Sequence, residues 1–514
     1  TSKDTGIIGH FGLGFYSSFM VSDKVEIITK SYKDESAAHW ICDGSPEYSL
    51  KKSEKSERGT EIILHISKDS KDYLEESKIS ELLNKYNKFM PHPIKFGTKE
   101  ETIPGKEGEK EEKVTIDNII NNPNPAWTKT PADLKDEDYK QFYRELYPYQ
   151  FEEPLFHIHL NVDYPFNLTG ILYFPKISND LNLQKDRIQL YQNQVFVTDN
   201  VEGIVPEFLG LLKGVIDSPD IPLNVSRSYL QSDASVKKIT NYITRKVADK
   251  LNSIFKNERE NLESKWNDIK VVIEYGMLTE DKFYDKAESF NLYPTVDDKY
   301  LTYEELEKKI KKLQTDKDGN LIILYAQNKD EQHTYIESAK EKGYEVLLLD
   351  SPIIPHLMQK LESKKEKIKF SRVDSDTLEN LIKKDEEVIS KLTDEEKEKL
   401  KPMIETAVEN EKYTVQLEAL DSNSMPFMLA QPEFMRRMKE MQQTGGGAMG
   451  NLPDMYSLIV NTNHELVGKI LNTRTEKKRN SLIKQSIDLA KLSQNSLTGK
   501  DLTEFINRSI DLIK

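Results

Sequence analysis

Two hydrophobic periods share this chain. Val25–Lys30, Ala38–Cys42 and Thr60–Ile66 are short runs of β-branched or aromatic residues closed by turn formers, and they read as strands. Ile79, Leu82, Leu83, Tyr86 and Met90 recur at helical spacing, with Pro91 and Pro93 placed to stop that helix. Mixed periods of this kind predict an α/β unit over residues 1–97. Lys99–Lys113 then breaks the pattern with dense Glu and Lys around Pro104, Gly105 and Gly108. It has too little apolar surface to offset its ordering entropy, so 98–117 is expected to be a solvated charged linker and a hinge.

The alternation resumes over 118–265, with strands expected at Phe156–Val162, Gly170–Phe174, Ile188–Leu190 and Gln194–Val197. Val205–Val215 reads as an apolar helix, and Ile221–Gln231 as a loop that enters a helix near Asp233. A smaller α/β part is expected over 266–375, from strand Asn320–Ala326, helix Thr334–Lys342 and strand Tyr344–Leu349, with Gly343 as the helix C-cap. It has no glycine-rich phosphate loop, and Lys364–Lys369 suggests a further solvated connection.

Helix and methionine dominate 376–514, and seven of the chain's 12 Met fall between Met425 and Met455. Met428, Phe434, Met435, Met438 and Met441 lie toward one helical side, with Met425 and Phe427 just before. Such a stripe is commonly core. Arg436, Arg437 and the glycines Gly445–Gly447 and Gly450 interrupt it, so a partly exposed surface that adapts to varied apolar partners is expected. Thr462 and Glu465, then Thr498 and Asp501, have capping-box spacing. Ile483, Ile487 and Ala490 keep helical period, and so do Leu502, Phe505, Ile506, Ile510 and Ile513. From the residues alone, packing on their own domain and pairing with a second copy compete evenly.

At 514 residues the chain is too long for one core, and three or four domains are expected. A net charge of −14 opposes general binding to nucleic acid or to an anionic membrane. No run approaches the ~20 apolar residues of a membrane span. Cys42 is the single cysteine, which excludes an intramolecular disulfide and suits a reducing cytoplasm.

The strongest chemical feature stands near the start, where Gly9, Gly12 and Gly14 alternate with His10, Phe11, Leu13 and Phe15. Glycine lets a backbone take positive φ and approach a ligand, and free amides at a helix mouth attract anions. Taken alone, the spacing is equally that of a tight turn packing a helix on a sheet.

Its surroundings extend the reading. Ile7–Met20, Asp23–Ile27, Arg58–Ile62, Asn124–Trp127, Gln194–Asn200 and Ile221–Arg227, in that order, resemble the heat-shock protein 90 chaperone family, bacterial HtpG type. The resemblance implies an α/β multidomain protein: the later part of a GHKL-type α/β sandwich ATPase domain entered in its lid, an α/β middle domain of two parts, and a mainly helical C-terminal dimerisation domain. It implies an ATP- and Mg²⁺-dependent cytoplasmic chaperone, a homodimeric clamp for partly folded clients with neither nucleic acid nor membrane as partner. Phosphate contact would come from the amides of Gly12, Gly14 and Phe15, with Gly9, Phe11 and Leu13 also in the nucleotide site and Thr60 near the adenine. Arg227, by itself a surface cation, would reach the γ-phosphate with a bidentate guanidinium, supported by Gln231. The Met and Phe positions become client contacts, and the two terminal stripes a dimer interface. The family's early Glu- and Asn-bearing helix does not precede Thr1, and its Asp-x-Gly-x-Gly loop occurs nowhere in these residues, so this chain is expected to bind ATP weakly or not at all. Two alternatives stand beside this reading: an ATP-independent dimeric holding fragment, and a DNA-gating relative on the same ATPase fold, which would need a basic groove that this acidic chain does not show.

Overall fold

The computed structural model describes residues 14–33, 35–103, 112–176, 188–201, 204–221, 234–384, 388–408, 413–445, 455–494 and 496–513. It divides into two units, Thr1–Lys176 with Asn182–Lys246, and Val247–Lys514 with Ile177–Leu181.

In the first unit, β1 (Ser22–Lys30), β2 (Ala37–Cys42), β3 (Ser49–Ser53) and β4 (Gly59–Ile66) form an antiparallel sheet in the order β3-β2-β1-β4. Sequence reading misses β3 because it is an exposed edge strand with two lysines among its five residues, so no buried face imposes alternation. The apolar run after Gly14 is a 3₁₀ turn, Phe15–Met20, whose Phe15 ring meets Trp40 edge-on at 5.7 Å. α1 (Glu76–Tyr86) ends short of Pro91, and Phe89 beyond it is fully buried against Trp127, Phe142 and Tyr191.

The charged stretch that follows is solvated but not irregular. β5 (Lys95–Ile103) and β6 (Glu112–Ile119) pair antiparallel, with Lys113 Nζ 3.2 Å from Glu100. Cross-strand charge pairs on its exposed side, with Phe96, Val114 and Ile116 half-buried on the other, give this hairpin a regular backbone, which composition alone could not signal.

α2 (Asp136–Leu146) precedes a five-stranded sheet of β7 (Phe156–Val162), β8 (Leu168–Phe174), β9 (Ile188–Gln192), β10 (Val195–Thr198) and β11 (Lys213–Asp217), in the order β10-β9-β11-β8-β7. The helix expected over Val205–Val215 is instead a 3₁₀ turn, Glu207–Leu211, followed by β11, which is buried at all five residues. A strand covered on both faces loses its alternation and mimics a buried helix. Gly214 settles the matter locally. Its φ is +129°, and a Cβ there would stand 2.0 Å from the Ile171 carbonyl oxygen, so only glycine lets β11 lie this close to β8.

α3 (Ala234–Asn257) carries the chain into the second unit, which continues with α4 (Arg259–Ser264), α5 (Trp266–Thr279), α6 (Asp281–Ala287), a short ladder of β12 (Tyr293–Pro294) and β13 (Tyr300–Leu301), and α7 (Tyr303–Ile310). Next come β14 (Leu321–Ala326), α8 (His333–Glu341), β15 (Val346–Leu348), α9 (Ile354–Lys364) and β16 (Ile368–Arg372), a parallel sheet in the order β15-β14-β16. The expected strand–helix–strand is present, with Gly343 at φ +74° behind the helix. The supposed solvated connection at Lys364–Lys369 already contains the start of β16.

The remainder holds α10 (Leu378–Leu381), α11 (Asp394–Ala407), β17 (Tyr413–Glu418), β18 (Phe427–Ala430), α12 (Glu433–Gly445), β19 (Tyr456–Asn461), α13 (Glu465–Asn472), α14 (Glu476–Ser493) and α15 (Gly499–Ile513). It is helix-rich, as expected, but its core is built on a mixed sheet in the order β17-β19-β18, against which Leu400, Ile483 and Ile487 pack. The capping box at Thr462 does not form. His464 caps α13, its Nδ1 accepting from the Leu466 amide, while the Thr462 hydroxyl donates to the Glu418 carbonyl. No described helix is long and apolar enough to cross a membrane.

Candidate functional site

Of the residues assigned to nucleotide, Gly9, Phe11, Gly12, Leu13, Arg227 and Gln231 lie outside the described residues. Gly14 has an ordinary helical conformation, φ −57° and ψ −41°, so positive φ is not its reason for being glycine. A side chain there would meet nothing within 4 Å, which leaves room beside the backbone. Thr60, near the start of β4, is exposed, and its hydroxyl shares a 2.7 Å hydrogen bond with that of Thr29 on β1. These residues permit the approach of a phosphate or a base; by themselves they do not define a pocket.

The Met-rich segment divides. Phe427 belongs to β18 and is 2% exposed, so it is a core residue and not a contact for a partner. Its alternate position on a strand, not a helix, points it at α14 and the sheet core. Met428, Met435 and Met441 are half-buried, whereas Met425, Phe434 and Met438 are exposed, Phe434 at 69%.

The arginines that break the stripe are the inward side of α12. Arg436 is buried, its guanidinium donating to Glu433 Oε1 at 2.7 Å, to Glu440 and to the Tyr325 hydroxyl. Arg437 donates to Glu433 at 2.7 Å, to Glu362 on α9 at 2.8 Å, and to the Phe370 carbonyl of β16 at 2.7 Å. Glu433 also accepts from the Tyr325 hydroxyl at 2.8 Å and from the Arg372 amide at 3.1 Å. Burial would raise the Glu433 carboxyl, but the two guanidiniums outweigh it and hold the group below the ordinary range. The i, i+3 and i, i+4 spacing of Glu433, Arg436, Arg437 and Glu440 is legible as a charged face. Its partners Tyr325, Glu362 and Arg372 come from distant strands and helices, and nothing local announces them. Charge therefore fixes the helix, and its apolar side is left facing out.

The terminal helices show the opposite arrangement. Ile483, Ile487 and Ala490 are buried in their own domain's core, and Phe505 is buried as well, so these residues are not available to a second copy. α14 and α15 are joined by Lys484–Glu504 at 3.1 Å, by Gln485 donating to Ser509 at 2.9 Å, and by a close Arg508–Asp488 pair. Leu502 is half-buried, Ile506 and Ile510 are exposed, and the Ile513 side chain lies outside the described residues. Exposed Leu489 and Leu492 on α14, which periodicity assigns to no stripe, join the outward apolar set.

The fold and these surfaces define a multidomain α/β protein that presents apolar helix faces suited to other polypeptides. Residues 97–498 match the family model for the Hsp90 proteins. The chain is 49% identical over 577 residues to the chaperone protein HtpG of Bacteroides thetaiotaomicron, covering 99% of this chain and 84% of that protein. It is 53% identical over 492 residues to HtpG of Porphyromonas gingivalis, covering 95% and 71%, and 30% identical over 522 residues to HtpG of Clostridium perfringens, covering 99% and 82%. The chain belongs to the Hsp90 family of chaperones.

Proposed function

We propose that the protein is an ATP-driven chaperone clamp that holds partly folded clients and dimerises through its terminal helices. Identity of about half over nearly the whole chain to HtpG proteins is the observation that carries this reading. When bound, Mg·ATP supplies the phosphoryl chemistry. Amides of Gly12, Gly14 and Phe15 would hold the phosphates, with Gly9, Phe11 and Leu13 in the same nucleotide-binding stretch, Thr60 would sit near the adenine, and Arg227, supported by Gln231, would stabilise charge at the γ-phosphate. The client surface is the outward side of α12, Phe434 and Met438 with Met435 and Met441, together with Met425 and Met428. The dimer face is redrawn on Leu489, Leu492, Ile506 and Ile510, which the single chain leaves exposed.

The test of holding is suppression of aggregation of a thermally unfolded client, with Phe434→Ser plus Met438→Ser as the comparison. Loss of suppression in that variant supports the surface, and unchanged suppression removes it. The test of Arg227 is ATP turnover in a form that carries the family's Asp-x-Gly-x-Gly segment. Arg227→Ala should cut turnover by about tenfold or more with nucleotide affinity nearly intact, less than the ~10³–10⁵ that such arginines can supply because lid closure shares control of the rate; unchanged turnover would end the assignment.

A further inference from the structure

In the second unit, β16 is an edge strand, since the small parallel sheet runs β15-β14-β16. An edge with free amides and carbonyls is a template for an incoming strand, and extended peptides commonly bind that way. Beside β16 lies a groove of about 1020 Å³ lined by Phe434, Met438 and Met441 of α12, by Ile368 of β16 and by Leu381. A client segment in this groove would lie beside the strand edge, so the state of that edge bears on how the segment is held.

The edge is already occupied by side chains of the chain itself. The Phe370 amide donates to Glu362 Oε1 at 2.7 Å, and the Phe370 carbonyl accepts from Arg437 Nη2 at 2.7 Å. The next outward amide, that of Arg372, donates to Glu433 Oε2 at 3.1 Å. These are the groups that a strand laid along β16 would need, and each is bonded to a charged residue on α9 or α12. The same residues bond to one another, Arg437 to both Glu362 and Glu433, so uncovering the edge would break a buried ionic network and strand its members.

What remains open in the groove is side-chain surface. Phe434 and Met438 are exposed, and Lys369 and Lys383 among the lining residues make no ion pair with any described residue. The lining carboxylates are engaged: Glu362 and Glu433 by the arginines, and Asp376 by the Thr377 amide and the Asn380 side chain. The donors to Asp376 are neutral, so the lining carries charges of both signs, and the apolar side chains are the surface left unengaged for an occupant.

We infer that this groove receives bulky apolar side chains of a client segment, and that it does not take its occupant as an added β-strand. The inference rests on the reading of α12 as the client surface and deepens it. Recognition of this kind suits a partly folded or helical client segment, because it asks nothing of the client's backbone hydrogen bonds.

The experiment uses the full chain and a fluorescent heptapeptide, Asp-Val-Phe-Leu-Phe-Val-Asp, with two analogues N-methylated on alternate amides, one on the odd and one on the even positions. Strand addition uses only the amides on one side of the peptide, so one of the two analogues must lose it. Binding is read by polarisation. The three peptides should bind within about threefold of one another, and Met438→Ser should weaken all three by about fivefold or more. A loss of about tenfold or more for one methylated analogue would overturn the inference and leave the client surface standing. Equal binding that Met438→Ser does not touch would place the peptides elsewhere and overturn it too. If none of the peptides binds, the client reading of this groove fails and the inference falls with it.

Discussion

α12 and α14 lie close together in chain order and read alike from their spacing, as helices with an apolar stripe in want of a partner. The structure turns them opposite ways. On α14 the stripe Ile483, Ile487 and Ala490 faces in, and the salt bridges to α15 lie outside the sheet core. On α12 the charges Glu433, Arg436 and Arg437 face in, while Phe434 and Met438 face out. Helical spacing gives the direction of an apolar stripe relative to the helix axis, not relative to the protein. Which face is buried depends on what the rest of the chain presents, and here β14, α9 and β16 present a tyrosine, a carboxylate and a carbonyl.

The largest expected effect tests the charged anchor. Arg436→Ala removes one member of a buried network and leaves Glu433 and Glu440 short of a partner. The loss should be about 3–5 kcal/mol in the unfolding transition of the second unit, measured in urea. A loss under ~1 kcal/mol would mean that α12 is docked by packing, and the contrast with α14 would collapse.

Next comes the matched pair of truncations. Ile483→Ala opens a cavity in a closed core and should destabilise by about 2–5 kcal/mol. Met438→Ser removes an outward side chain and should stay within ~0.5 kcal/mol. Similar losses for the two variants would show that both stripes are core.

Much of this architecture can be read from the sequence where one face of an element is buried and the other wet. β7 is legible for that reason, and so is the helix α8 between its strands; β1, β2, β4 and β14 are legible instead as β-branched or apolar runs closed by turn formers, β4 being largely exposed and β14 buried at all six residues. Legibility fails where no boundary or composition marks the strand. β11 is buried at all five residues and continues the apolar run before it, so it reads as a helix; β5 and β6 are dense in charge and read as a linker. The run Tyr456–Asn461, with Leu458, Ile459 and Val460 in line, carries a strand signal that the nearby methionines mask. At the site, Glu433, Arg436 and Arg437 can be grouped by spacing, but their partner Tyr325 lies 111 residues away from Arg436, and no local rule reaches that far.

A smaller effect on stability, with a clear effect on mass, should follow from changing the outward residues of the terminal helices. Leu489→Ser, Ile506→Ser and Ile510→Ser together leave the core of the single chain intact. Two-fold pairing of such a face would bury on the order of 1,200–2,000 Å². Light scattering at micromolar concentration should show a dimer for the parent and a monomer for the triple variant, with a melting temperature close to that of the separated parent. A dimer that survives all three changes would move the interface elsewhere and leave α14 with no outward role.

The smallest effect separates the two helices by pH. On α12, burial would raise the Glu433 carboxyl, but Arg436 and Arg437 prevail and hold it below the ordinary 4.5. A carboxylate depressed in the folded state binds fewer protons there than in the unfolded chain. Its contribution is complete above about pH 4.5 and is lost as pH falls through the folded value. On α14, burial comes first and lifts the Asp488 carboxyl above the ordinary 3.8, in spite of Arg508. There the sign reverses: the folded state holds the proton more tightly, so the contribution is complete below about 3.8 and declines as pH rises through the raised value. The Glu504 carboxyl on α15 is also held low by Lys484, but that pair is exposed and weak, so acidification from about pH 5 to about pH 3 should loosen α12 more than the α14–α15 pair. Amide hydrogen exchange, corrected for its intrinsic pH dependence, reads the two helices separately in one sample. Protection in α12 should fall first, and Glu433→Gln should flatten that fall because the residue no longer titrates. Parallel loss in both helices, or earlier loss in α14, would show that the ionic network does not set how α12 is held.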